Sequence, residues 1–504
     1  MLPASPAWSR LGEHLRETQI IGSIQSTLYW DQNTRMPSGG AAWRGEQLTL
    51  LATQLHARQS SAHYAELINA AREEWNLQTD TDDHGPRGRN LDLLEEDLRR
   101  QQSLDPALVA ALATAKANGY NQWQQARAAA DFSQFAPALQ SLIQLRQEQA
   151  RQLAEPRSCW ETLAQPFEPD LSLTRLQEVF APLRQALPEL VAESASSPRS
   201  RTASWDLPET AQQHLCDELL KSWGRDPSIT CVARSPHPFS ITLGPADYRI
   251  TTRVVRGQPL SCFLATAHEW GHSLYEQGLP DQSHQWFAWP LGQATSMAVH
   301  ESQSLFWENR VARSRPFAEQ WWTQFAEVGA PLDGAEDLWQ AMNPLAPGLN
   351  RVEADELSYG LHILIRTDLE IALLEQGLEV ADLPAEWNRR YRDMLGVTPS
   401  NDSEGCLQDV HWSEGLFGYF PSYLLGHLIS AQLSEAMATE IGAPEDHVAS
   451  GDITPMLGWL RRHVHPVGRA LNAEDLVLQV SGRPLDSTAF LQHVIGKVQA
   501  LQRT

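Results

Sequence analysis

SITLGPADYRITTRVVRGQPLSCFLATAHEWGHSLYEQ, residues 240–277, changes character in mid-run, and that change decides how the chain builds its central wall. From Ser240 to Val255 β-branched and aromatic residues gather in two runs, ITL and YRITTRVV, with Gly244-Pro245 as the turn between them. That composition predicts a small β-ribbon. From about Pro259 to Gln277 the reading is a helix, with Gly278 and Pro280 supplying the stop.

Outward from this stretch the helical period dominates. Arg10 to Ser26, Arg44 to Ala70, Asn90 to Gln101, Pro106 to Ala130 and Phe135 to Ala154 place apolar residues three and four apart, in windows rich in Ala, Leu, Gln, Glu and Arg. Polar, Gly and Pro residues mark loops at Thr79 to Arg89 and at Ser194 to Thr202. The expected fold is mainly α, one helix-rich domain with a β-ribbon beside the helix at 259–277. With 504 residues the chain buries a sizeable core without staples. Lys+Arg 39 against Asp+Glu 62 gives a formal charge of -23, which argues against a broad nucleic-acid surface. Five cysteines (Cys159, Cys216, Cys231, Cys262, Cys406) without CxxC spacing suit a reducing compartment. Met1 to Trp8 lacks a cationic stretch followed by an apolar one, and no run reaches 18 apolar residues. The expectation is a soluble cytoplasmic protein with no membrane span.

Within the helical stretch, His268-Glu269-Trp270-Gly271-His272 reads HExxH. Residues four apart stack one turn above another, so both imidazoles reach one ion. Glu269 lies about 100° round the helix from His268 and can touch a water on the ion without ligating it. Hydrolysis needs that pairing of a Lewis acid with a carboxylate base. The pair predicts a third ligand, and Glu301 in the helical stretch Ala294 to Val311 supplies a carboxylate, with His300 as its competitor and Glu308 further along. Gly271, costly inside a helix by about 1 kcal/mol, leaves room for an element packed close to the ion.

Further motifs follow in order along the chain. They are HPF at His237-Pro238-Phe239, DxRxT at 247–251, HExxH at 268–272, HESQ at 300–303, RxxAD at 351–355 and GxxQDxHW at 405–412. YWDQNTRMPSGGAAWRGEQ at 29–47 joins them. This series resembles the M32 family of metallocarboxypeptidases, the carboxypeptidase Taq type, over nearly the whole chain. Two departures stand out: Asn350 where the family has Ile, and Ile365-Arg366-Thr367-Asp368-Leu369-Glu370 where it reads IRFELE. Neither removes a charged group.

The resemblance implies an elongated, helical, gluzincin-like body with a deep groove, its residues 1–504 forming one peptidase domain. In that scheme helices of about 1–200 cover the groove, about 230–430 are catalytic, and a helical part runs to 504. It implies a homodimer that removes single residues from the C-terminus of peptides, with broad specificity and poor tolerance of proline. One divalent ion per chain is expected, zinc first, with cobalt or manganese also accepted by two His and one Glu. Capture of a terminal carboxylate calls for an Arg fork. Arg351 is first choice, from its motif, with Arg249 and Arg366 as alternatives and His237 as a further lining residue. By resemblance to helical-cleft gluzincins, His411 with Tyr423, or Tyr419, serves the oxyanion. An endopeptidase or dipeptidase using the same ion, and a metal-binding helical scaffold, are the competing functions.

Overall fold

Helices form where the three-and-four spacing places them. A computed structural model describes residues 6–78, 85–195, 205–280 and 286–503. The first helix, Pro6–Thr34, extends the expected window at both ends. The single helix expected over 44–70 is two, Ala41–Ser60 and Ala62–Gln78. Ser61 between them is extended, and its hydroxyl accepts the Tyr64 N–H at 3.1 Å, so a capping serine restarts the chain. Of the two expected loops, residues 79–84 and 196–202 lie outside the described residues. Positions 86–89, read as loop, are instead helical, because Pro86 pre-sets the first turn of Pro86–Gln102.

These N-terminal helices share an apolar core of their own, with Leu11, Leu15, Ile68, Leu91 and Leu94 packed around Trp289. Trp8 stacks on Trp289 at 4.0 Å and ties that core to the segment that precedes Glu301. The first helix also reaches the sheet: the Ser23 hydroxyl donates to the Leu243 carbonyl, and Tyr29 and Trp30 meet Phe239 edge-on.

The expected ribbon is a sheet of three strands, β1 (Thr230–Arg234), β2 (Ser240–Gly244) and β3 (Asp247–Thr252), in the order β1-β3-β2. β2 and β3 form the antiparallel hairpin, and β1 adds parallel to β3. β3 ends at Thr252, short of Val255. Its buried Thr252 accepts from Thr266 at 3.2 Å, which seats the sheet on the HExxH helix.

That helix, Pro259–Glu276, agrees with its expected span and is buried nearly all round, as a core helix is. Against it runs Met297–Leu305, which starts where Ser296 caps the Val299 N–H. This second helix continues over Phe306–Ala312 with a wider winding, Arg313 N–H donating to the Glu308 carbonyl five residues back. Gly271 sets the approach of the two helices. A Cβ there would meet the Ser304 Cα at 2.7 Å and the Gln303 carbonyl at 2.8 Å. A third helix, Pro421–Ile441, closes on the same point: a Cβ on Gly426 would meet the Glu301 Cγ at 2.8 Å. The chain is mainly α with one small sheet, and among the described residues no helix is long and apolar enough to cross a membrane.

Candidate metal centre

His268 and His272 leave consecutive turns of one helix, and Glu301 faces them from the neighbouring one. The Glu301 Oε2 lies 3.5 Å from His272 Nε2 and 3.8 Å from His268 Nε2, and one ligand atom from each residue falls within 4.8 Å of the others. Four donors placed tetrahedrally at about 2.0–2.2 Å from an ion are spaced about 3.3–3.6 Å apart. The 3.5 Å and 3.8 Å separations lie at or near that range, which makes the three residues a candidate ligand set for one divalent cation.

Both rings are held from behind, so that each Nε2 faces inward. His268 Nδ1 donates to Glu308 at 2.9 Å, and His272 Nδ1 donates to the His300 carbonyl at 3.1 Å. Glu308 is gripped in turn by Arg313, at 2.7 Å and 3.1 Å. His300, the competing ligand, turns away: its Nε2 sits 2.8 Å from Glu276, and its ring stacks on His272 at 4.4 Å. It contributes through its backbone carbonyl instead.

Burial drives His272 well below its ordinary range, which keeps it in the neutral form that ligates a metal. At His268 burial acts the same way, but the Glu301 and Glu308 carboxylates outweigh it and raise the ring to about 10. Glu269 is 8 % exposed, and burial pushes its carboxyl up to about 7 against the pull of His268. Among the described residues no hydrogen bond engages Glu269. Burial raises the Glu301 carboxyl as it does that of Glu269, and a dication beside them would favour the charged form of each.

A second cluster adjoins the first. Arg351 is buried, with Nε 2.9 Å from Asp409, Nη2 at the same distance from that carboxylate, and Nη1 donating to the Tyr359 hydroxyl at 3.1 Å. It lies 5.1 Å over the Tyr423 ring, and its charge acts on Glu301. His411 Nε2 is 3.4 Å from the Tyr423 hydroxyl, a long separation for a hydrogen bond. Burial lowers His411 to about 4, so its ring is neutral, and its Nδ1 is buried without a partner. Tyr419 packs 5.3 Å from Tyr423 and edge-on to Phe167 at 5.0 Å. Burial raises both phenols, so each stays a donor, and the Glu301 charge reaches both.

The other expected lining residues are placed differently. Arg366 is fully buried and bonds to Asp409 at 2.6 Å, the His362 carbonyl at 2.9 Å, Gln408 at 3.1 Å and the Tyr391 hydroxyl at 3.1 Å. Four of its five N–H groups are thereby taken, and it anchors Asp409. Arg249 is paired with both oxygens of Asp247, at 2.7 Å and 2.8 Å, and lies over Trp30. His237 sits exposed in the turn between β1 and β2, its carbonyl accepting from Ser235, and among the described residues no hydrogen bond engages its ring. Neither Arg249 nor His237 bonds to the metal cluster. The reading of the motifs gave no role to Glu308 or Asp409, though it passed over both, and it missed Tyr359. Glu308 carried one signal, its position seven residues after Glu301 and so on the same helical face.

Residues 10–498 match the family model described as carboxypeptidase Taq (M32) metallopeptidase. Thermostable carboxypeptidase 1 of Thermus thermophilus is 36% identical, with 98% of this chain and 99% of that protein aligned. Carboxypeptidase 1 of Bacillus subtilis is 31% identical, with 97% of each covered. The crystal structure of an M32 carboxypeptidase from Deinococcus radiodurans superposes with a TM-score of 0.92 at 32% identity, over 99% of this chain and 100% of that one. A Pyrococcus furiosus carboxypeptidase structure gives 0.92 at 28% identity, over 98% and 99%. By sequence and by fold the chain belongs to the M32 family of metallocarboxypeptidases, peptide hydrolases that work with a divalent metal ion.

Proposed function

We propose that this protein releases single C-terminal residues from peptides of broad sequence, cleaving poorly before proline, with zinc held by His268, His272 and Glu301. The observation that carries the reading is the inward-facing pair of Nε2 atoms with Glu301 beside them and an unbonded Glu269 in the same pocket. A divalent ion held there supplies Lewis acidity to water and to the scissile carbonyl. Glu269 takes a proton from the attacking water and delivers it to the departing amine. Arg351 receives the terminal carboxylate: beyond its bonds to Asp409 and Tyr359, each terminal nitrogen keeps one N–H, an end-on fork. Tyr423 and His411, with Tyr419 beside them, donate to the oxyanion as the carbonyl becomes tetrahedral. A C-terminal proline makes the bond a tertiary amide without an N–H, which disfavours this site. A homodimer in the cytoplasm completes the proposal, the latter in keeping with five cysteines lacking any paired spacing.

The test is mass spectrometry of a digested peptide. Successive loss of single C-terminal residues is expected, abolished by chelation and restored by zinc. Internal fragments or released dipeptides would reject the carboxypeptidase assignment. Glu269→Gln should bind metal normally and lose about 10²–10⁴-fold in turnover; near-normal hydrolysis would remove Glu269 from the mechanism.

A further inference from the structure

Glu370 is a fully buried carboxylate on the helix Glu356–Glu375 that touches none of the groups assigned to substrate. Three N–H donors converge on it from two parts of the chain. The Trp412 indole donates to Oε1 at 3.0 Å, while the Gly418 backbone and the Trp160 indole donate to Oε2 at 2.8 Å and 3.2 Å. Two of these donors are chain neighbours of the residues assigned to the oxyanion: Trp412 directly follows His411, and Gly418 directly precedes Tyr419. Gly418 has φ +81° and a Cβ there would meet the Ala164 Cα at 2.7 Å, so the segment is closed against the short helix Cys159–Ala164 that carries Trp160. One turn earlier in the same helix, Arg366 holds Gln408 and Asp409 on the other side of His411. Residues four apart share a helical face, so a single turn grips the segment at 408, 409, 412 and 418.

We propose that Glu370 is a positioning residue for the peptidase reaction, which by accepting from Trp412 and Gly418 together fixes the bearing of His411 and Tyr419 on the reacting carbonyl. The inference rests on the oxyanion role given to those residues under the proposed function. The ionised carboxylate is suited to this place because it offers acceptors only and meets donors only. Glutamine would keep one acceptor for the Gly418 and Trp160 arm and turn its NH₂ toward the Trp412 indole, donor against donor, releasing the side next to His411.

The experiment uses the zinc-loaded full chain and a peptide with a free C-terminus, measuring kcat, KM, bound metal and melting temperature. Misplacement of a catalytic group by about 1 Å costs up to about 10²-fold, so Glu370→Gln should lower kcat about 10–100-fold with KM and metal content little changed. Trp412→Phe breaks the same arm from its other end, and the double variant should be no worse than the worse single. Wild-type kcat in Glu370→Gln, a double variant whose loss is the product of the two, or a loss that merely follows lost metal overturns the proposal. Should Glu370→Gln not fold, Trp412→Phe decides alone, an unchanged kcat there being fatal. His411→Ala separates the two levels. Full turnover in that variant sinks the oxyanion reading itself, whereas lost turnover there beside normal Glu370→Gln sinks only the positioning role.

Discussion

Replacing Gly271 by alanine places the sharpest demand on this architecture. The new Cβ would sit 2.7 Å from the Ser304 Cα, 2.8 Å from the Gln303 carbonyl and 3.0 Å from the Trp307 ring, whereas ordinary contact begins at 3.4 Å. The first two neighbours are backbone and cannot rotate away, so the two helices must part by about 0.7 Å. Alanine gains about 1 kcal/mol in helix propensity, and overpacking costs about 1–3 kcal/mol, so the metal-free fold loses little, at most about 2 kcal/mol. The metal centre is far less tolerant. His268 and His272 ride on one helix and Glu301 on the other, and ligand distances must hold within about 0.2 Å. Parting the helices widens the present 3.5 Å and 3.8 Å separations beyond what one ion spans. Zinc affinity should fall about 10–100-fold, the range seen when ligand orientation is disturbed. Competition against a chromophoric chelator measures the affinity, and melting with and without zinc measures the fold. A variant that binds zinc as the parent does would refute the claim that this glycine sets the helix approach.

Glu308→Gln removes the carboxylate behind His268 and leaves Arg313 without its partner; zinc binding should weaken about 10–100-fold in the same competition, and an unchanged affinity would show that the ring needs no support. Arg351→Ala should raise KM steeply for peptides with a free C-terminus and spare C-terminally amidated ones, equal loss on both being the result that denies it the carboxylate. Glu168 accepts from the Ala298 N–H at 2.6 Å and the Ser422 hydroxyl at 2.7 Å, and burial pushes its carboxyl up from 4.5 to about 7. The folded value exceeds the unfolded one, so its stabilising share is full below about pH 4.5 and is lost as pH rises through about 7, up to about 3 kcal/mol in all. Glu168→Gln should therefore flatten the fall in melting temperature of the chelated protein between about pH 5 and 8; an identical slope in parent and variant contradicts the assignment.

What the sequence could and could not disclose follows from how far apart the deciding contacts lie. The HExxH helix was legible to within a residue of its end, since its period and its Gly278 stop are local. Gly271 was legible too, because an expensive residue inside a helix signals a close neighbour. β1 was not, because a parallel strand takes its partner from Tyr248–Thr252 through a turn and a whole intervening strand, and no alternation within 230–234 records that. The three arginines mark the same boundary. Each stands in a motif, and nothing within a few residues separates Arg351 from Arg366. Their surroundings are set by partners: Asp247, two residues from Arg249, accepts from its Nε and Nη2, while Asp409 lies 58 residues beyond Arg351 and 43 beyond Arg366. Asp409 meets Arg366 with one oxygen and Arg351 with the other, and Tyr391, His362 and Gln408 bring the engaged N–H groups of the first guanidinium to four of five, against three for the second. A pair of imidazoles on consecutive turns of one helix is therefore readable from spacing, whereas the partners of Arg351 and Arg366 are fixed by a carboxylate that only the folded core brings to them.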